Sequence, residues 1–143
     1  MTTLPPARTP CTFCPYRQDV PSGVWAESEY AKLPPYDGET FEQPPRLFQC
    51  HVNDRDSDRA RVCAGWAGCH DGGQLLGVRV ALARGSITPE TADAIAAYES
   101  PVPLFASGAE AAAHGMSSVL EPGEDARAAI TKITTIRSDI NHG

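Results

Sequence analysis

Five cysteines lie in the first half of this 143-residue chain, and they constrain its fold more than any other feature. Cys11 and Cys14 form a C-x-x-C pair, and Cys50, Cys63 and Cys69 follow at wider spacing. The N-terminus lacks the apolar segment of a signal peptide and no long apolar run follows, so we expect a cytoplasmic protein without a membrane span. In that reducing compartment, cysteines are more often ligands, catalytic groups or buried thiols than disulfides.

We predict a metal centre held by four thiolates, those of Cys11, Cys14, Cys50 and Cys63. The two-residue spacer of C-x-x-C lets both sulfurs reach one ion or cluster, and soft thiolates suit zinc or an iron–sulfur cluster. Cys69 is left as the spare, because CAGWAGC would have to form a close pair of another shape. His51 and His70 each follow a cysteine directly, and either one, or Cys69, stays open as a replacement ligand. Any of the cysteines can also be read as a buried apolar residue.

The spacing of the second pair bears on the choice of metal. A zinc ribbon usually has two close pairs, whereas Cys50 and Cys63 are far apart in the chain. A cluster accepts thiolates from separate loops, and its sulfurs favour backbone N–H donors and apolar shielding. Residues suited to those roles are Phe13, Phe48, Gly65, Trp66 and Gly68. We therefore prefer a 4Fe–4S cluster slightly over zinc.

The composition divides the chain into two segments of one compact domain. Residues 1–73 hold all five Cys, nine of the 13 Pro and both Trp, whereas residues 74–143 are Ala-rich. We expect a mostly α fold, in which an irregular, metal-stapled Cys-rich half carries a small helical half packed on it. The net charge of −6 argues against general nucleic-acid binding.

Local signals predict few regular elements in the first half. A helix is expected over residues 24–33, capped by Ser22 and stopped by two prolines. LFQCHV (47–52) is typical of a short strand that carries Cys50. Residues 53–59 are typical of a charged turn. Asp54, Asp56 and Asp58 imitate a calcium loop, but the required Gly and the final Glu are absent.

The second half contains clearer helix signals. Leu75, Val78 and Leu82 share a helical face, and Gly85 suits the position after that helix. Thr88 and Pro89 begin a helix expected to reach residue 98. SGAE (107–110) matches a capping box, and Gly115 is expected to close that helix. The last helix has an apolar stripe formed by Ile130, Ile133, Ile136 and Ile140.

Three Cys-containing segments resemble an uncharacterised Cys-rich family of actinobacteria and their phages. They are CTFCPYRQDVPSG, FQCH, and CAGW with the following VRVALARG, within residues 8–87. The resemblance implies shared ligands and no particular activity. The Arg-rich, Ala-rich composition also fits a high-GC genome of that kind.

The segments CTFCPYR and GVWAE (23–27) are also similar to C-x-x-C-P-V-R and G-V-W-G-G in WhiB-like regulators. That resemblance implies a 4Fe–4S cluster on Cys11 and Cys14. It also implies that Gly23, Val24 and Trp25 form a turn that contacts the principal sigma factor. Val20 stands where that family has a third Cys, and Glu27 where it has its second Gly.

The cysteines are accompanied by no nucleophile–base pair, P-loop or dinucleotide fingerprint. We therefore expect a non-enzymatic interaction or regulatory protein built around a metal centre, with a protein partner that could belong to the transcription machinery. Two alternatives remain: a zinc-stapled structural or accessory protein, and a redox or hydrolytic enzyme that uses the metal at an open coordination position.

Overall fold

The computed structural model describes residues 2–50, 60–119 and 121–136. In this part of the chain the helices are α1 (Glu27–Tyr30), α2 (Ala64–Cys69), α3 (Leu76–Ala83), α4 (Pro89–Ala96), α5 (Gly108–Met116) and α6 (Glu124–Ile136). Single 3₁₀ turns span Pro34–Asp37, Thr40–Glu42 and Gly72–Gln74. Strand pairing within the described residues is limited to isolated bridges, so the predicted mostly α fold is confirmed.

One hydrophobic core joins residues from both halves of the sequence. Trp25 and Trp66 from the first half are almost fully buried, as are Ile95 and Ile133 from the second. The side of α5 that faces the core is built from small residues, so that it can approach α1 closely. At Gly115 an added Cβ would lie 2.0 Å from the ring of Tyr30.

The helix boundaries of the second half follow their local signals. Thr88 accepts a hydrogen bond from the Thr91 N–H and opens α4, which ends at Ala96, close to the predicted end. Ser107 accepts from the Glu110 N–H and opens α5. Gly85 follows α3 with φ +73°, the left-handed conformation that glycine adopts readily.

Packing changes which residues of these helices are buried. Leu82 is 40 % exposed, and Ala81 takes its place beside Leu75 and Val78 in the core, so the predicted face was wrong at Leu82. Gly115 lies inside α5 and does not close it, because the position is needed for contact with Tyr30.

Helix α6 buries part of the predicted isoleucine stripe, together with two alanines outside it. It packs through Ala126, Ala129 and Ile133, while Ile130 is only half-buried. The Ile136 side chain and Ile140 lie outside what the structure describes. Small residues at 126 and 129 permit a closer approach to the core than the isoleucine stripe would.

Helix α1 is shorter than predicted. It begins at Glu27 after Ala26, and Ser22 does not cap it. Gly23 has φ +81° and its N–H bonds to the carbonyl of Gly115, which fixes the preceding chain in a non-helical path. Beyond α1, Pro34 begins a 3₁₀ turn.

Of the predicted strand at 47–52, the structure describes residues 47–50, which form one bridge, between Gln49 and Val62. The predicted turn at 53–59, His51 and the three aspartates of the rejected calcium loop lie outside the described residues. No helix among the described residues is long and apolar enough to cross a membrane.

Candidate metal centre

Cys11 and Cys14 sit on a tight turn that directs both side chains inward. The Cys14 N–H donates to the Cys11 carbonyl at 3.0 Å, and the Arg17 N–H donates to the Cys14 carbonyl at 3.1 Å. These two consecutive turns are the compact knuckle that a two-residue spacer permits. Cys14 is fully buried and Cys11 is half-buried.

Cys50 and Cys63 lie on two antiparallel segments joined by backbone hydrogen bonds. The Cys50 N–H donates to the Arg61 carbonyl at 2.9 Å, and the Cys63 N–H donates to the Phe48 carbonyl at 2.8 Å. This pairing brings together two cysteines that are far apart in sequence. The structure therefore supplies the second pair by strand pairing and not by a second C-x-x-C.

The fold places the four predicted ligands near one another. The Sγ atoms of Cys14 and Cys63 are 3.8 Å apart. The thiols of Cys14 and Cys50 both lie near enough to Cys11 to change the pKa of its thiol. These interactions link the C-x-x-C turn to both paired segments.

These interactions are pairwise. Among the described residues, no three Cys, His, Asp or Glu side chains form a group already arranged to hold a metal ion. A cysteine sulfur moves with a single torsion, χ1, so modest rotations of the four side chains would change the sulfur positions without moving the backbone.

The sulfur separation of Cys14 and Cys63 suits a single tetrahedral ion as well as it suits a hydrogen bond between two thiols. Two thiolates bound at about 2.3 Å to the same tetrahedral zinc lie about 3.8 Å apart. The Cys14–Cys63 separation has that value. In a cubane cluster each thiolate binds a different iron atom, which keeps the thiolates farther apart.

Backbone N–H groups surround three of the four sulfurs. The Trp66 N–H lies 3.4 Å from the Cys63 sulfur. The backbone N–H groups of Phe13 and Tyr16 act to lower the pKa of Cys11 and Cys14, respectively. Such donors stabilise negative charge on sulfur and orient the side chain, as outer-shell groups do in metal–thiolate sites. Phe13 and Trp66 are among the residues expected to donate to the sulfurs or to shield them.

Gly65 allows α2 to pass directly over the knuckle. A Cβ at this position would lie 2.4 Å from the Cys14 sulfur and 2.8 Å from the Tyr16 Cβ. The contact explains why glycine occupies a helical position where it is otherwise unfavourable. Gly68, by contrast, faces Tyr98 and Leu104.

Burial changes the acidity of the buried thiols. Desolvation raises the pKa of Cys14 well above its ordinary value, and its contact with Cys63 adds to the effect. The hydrogen bond with Cys14 raises the pKa of Cys11, with burial contributing. Thiols in such surroundings lose their protons readily only to a cation that binds the sulfurs.

Two side chains form hydrogen bonds with the backbone at or next to the Cys11–Cys14 turn. The Trp25 indole N–H donates to the Phe13 carbonyl at 2.8 Å. The Arg17 guanidinium donates to the Pro10 carbonyl at 2.9 Å and forms a two-bond pair with Asp19. Arg17 is therefore tied to backbone and carboxylate oxygens.

The turn that the WhiB resemblance assigns to sigma contact is buried. Val24 is 0 % and Trp25 1 % exposed, and Gly23 packs against the backbone of Ser118. In this conformation these residues pack in the core and next to the Cys11–Cys14 turn.

Cys69 and His70 occupy a separate position. The His70 Nδ1 lies 2.9 Å from the Trp66 carbonyl, and its Nε2 lies 2.9 Å from the Asp37 carboxylate. Both ring nitrogens are thus engaged away from the four sulfurs. Cys69 is half-buried, and desolvation raises the pKa of its thiol to about 12.

Asp37 is a structural residue that sequence reasoning missed. Its carboxylate accepts from the N–H groups of Gly108 and Ala109 at 2.7 and 2.8 Å, at the start of α5, and also contacts His70. No local signal identifies this role, because all of its partners are distant in sequence.

Comparison with known proteins gives a family and no activity. No curated protein and no solved structure matches the chain significantly. The chain does match the Family of unknown function (DUF6283) over residues 6–137, well beyond the Cys-rich segments that suggested an uncharacterised family. Nearly the whole chain is covered by that match, and the protein therefore belongs to the DUF6283 family.

Proposed function

We propose that the protein is a metal–thiolate protein in which Cys11, Cys14, Cys50 and Cys63 bind one metal ion that holds the N-terminal half together. The observation that carries this proposal is the convergence of the C-x-x-C turn with the paired segments, with the Cys14 and Cys63 sulfurs 3.8 Å apart and Cys11 near Cys50. The N–H donors around these sulfurs support it, because they suit thiolates better than neutral thiols.

A single zinc ion is the form we favour. The 3.8 Å separation of Cys14 and Cys63 suits two ligands of one tetrahedral ion. The 4Fe–4S cluster is the second candidate, supported by the wide sequence spacing of Cys50 and Cys63.

Four thiolates would complete the coordination of zinc and leave no position for water or substrate. The centre we propose is therefore structural, and its role is to fix the fold of a non-enzymatic protein. An enzyme using this metal would need one thiolate to leave the ion.

Elemental analysis of the purified protein, with its visible spectrum, tests this proposal. Anaerobically purified wild type should be colourless and contain about one zinc per chain. Cys14→Ser should lose most of the metal, whereas Cys69→Ser, which removes a thiol outside the four proposed ligands, should retain it. A brown protein that contains iron and sulfide would show that the centre is a 4Fe–4S cluster and not a zinc ion. Metal-free wild type, or equal metal in both variants, would refute the centre.

A regulatory role through a protein partner is part of the same proposal. It derives from the WhiB-like segments, and the burial of Val24 and Trp25 means that any contact must use another surface. Purified principal sigma factor of an actinobacterium should bind wild type more strongly than Cys14→Ser, since loss of the metal would disorganise the fold. Equal or absent binding in a pull-down would exclude this partner.

A further inference from the structure

An open pocket of about 250 Å³ lies between α3 and the segment that leads into Cys50. Its charged residues are Arg46 and Arg84, and none of the described residues that line it is acidic. In a chain with a net charge of −6, this is a local positive site. Arg46 and Arg84 are exposed residues on the lining of one pocket, and their flexible guanidinium groups can reach an oxyanion bound there.

Gln49 provides a second observation. It lines the pocket, and its side-chain Oε1 is buried without a hydrogen-bond partner among the described residues. A buried polar atom of this kind normally has a partner, and a rotation of the Gln49 side chain towards the pocket would let a ligand supply one. A half-turn of the amide exchanges the oxygen for the NH₂ group, so Gln49 can offer a donor to an oxyanion as well.

The rest of the pocket is apolar or small. Leu47, Val80 and Ala81 belong to its lining, and Gly77 lets α3 pack closely on the Arg46 carbonyl at the edge of the pocket. An added Cβ at Gly77 would lie 2.2 Å from that oxygen. A ligand would therefore place an apolar body on these residues and its anionic group against the arginines.

We propose that this pocket binds a small organic oxyanion, a phosphate monoester or carboxylate with an apolar body. Arg46 and Arg84 would bind the anionic group, and Gln49 would complete its hydrogen bonds. The pocket is distinct from the metal centre, because none of its lining residues is a proposed ligand.

Titration calorimetry with the full-length protein at constant ionic strength tests the site, using phenyl phosphate, inorganic phosphate, benzoate and phenol as probes. Phenyl phosphate should bind with a Kd on the order of 1 mM. Inorganic phosphate should bind more weakly, because it lacks the apolar body, and phenol should not bind measurably. Comparison of phenyl phosphate with benzoate separates the two oxyanion classes.

The double variant Arg46→Gln/Arg84→Gln should weaken phenyl phosphate binding by at least about tenfold. The matched control is Arg79→Gln/Arg127→Gln, which removes the same charge outside the pocket and should bind like wild type. Gln49→Leu should also weaken binding, and thermal unfolding of each variant verifies that it is folded. Equal loss in both double variants, or no wild-type binding of either oxyanion, would overturn the proposal.

Discussion

The C-terminal helices and the Cys-bearing N-terminal half are ordered by different kinds of contact. In the C-terminal half, Thr88 and Ser107 cap the helices that directly follow them. In the N-terminal half, the ordering contacts join distant residues, such as Cys14 with Cys63 and Trp25 with Phe13. The first kind of order is encoded locally, whereas the second requires the tertiary structure and, in our proposal, a metal ion.

Metal removal should give the largest difference between the halves. Structural zinc contributes roughly 10–16 kcal/mol in small zinc-binding peptides, which is as large as the whole stability of an ordinary domain. Chelation under reducing conditions should abolish the near-UV circular dichroism of Trp25 and Trp66, with a smaller fractional loss of helical far-UV signal. Adding zinc back should restore both signals. An unchanged near-UV spectrum in verified metal-free protein would show that the N-terminal half is ordered without metal.

Gly65→Ala should have the next largest effect. Alanine normally stabilises a helix relative to glycine by about 1 kcal/mol, but here the new methyl group would overlap the Cys14 sulfur. We expect a net destabilisation of about 1–3 kcal/mol and a lower metal content. Denaturant titration and elemental analysis measure the two effects.

Gly73→Ala is the matched control for that variant, because a Cβ there meets only the Asp71 carboxylate, at 3.5 Å. It should change stability little and leave the metal in place. If Gly65→Ala were as stable as Gly73→Ala, the result would contradict the close packing of α2 on the Cys11–Cys14 turn.

Asp37→Ala should weaken the connection between the halves. The change leaves two N–H groups at the start of α5 without their carboxylate and removes the partner of His70. We expect a loss of about 2 kcal/mol in the free energy of unfolding, measured by denaturant titration. Asp71→Ala, which removes a single cap on the Gly73 N–H, should cost less. A larger loss at Asp71 would contradict this account.

Ser107→Ala should have the smallest effect of the series. It removes the acceptor of the Glu110 N–H in α5, whereas the N–H groups of Gly108 and Ala109 remain bonded to Asp37. A loss of about 1 kcal/mol is typical of such a change. If this loss exceeded that of Asp37→Ala, the start of α5 would depend more on its own sequence than on the other half.

The same contrast explains what could be predicted from the sequence. Thr88, Ser107 and Gly85 act on their immediate neighbours, so their roles were visible in the pattern. Gly115 resembled a helix end but is required by the ring of Tyr30, a contact that no local pattern records.

For the candidate site, soft-ligand chemistry and spacing selected four cysteines that the fold places near one another. The pairing of the segments around Gln49 and Val62, which brings Cys50 towards Cys63, was only partly predicted. Gly65 was expected to supply an N–H donor, whereas its position beside Cys14 depends on packing. Asp37 was missed because its partners, His70 and the start of α5, come together only in the folded chain.

The reach of Asp37 to the first turn of α5 has a consequence for recombination. A chimera that joins the N-terminal half of one family member to the C-terminal half of another would pair a carboxylate from one parent with a helix start from the other. We expect such exchanges to succeed only where both parents match at this contact and at the approach of Tyr30 to Gly115. The change in composition near residue 73 is therefore a poor place for a crossover.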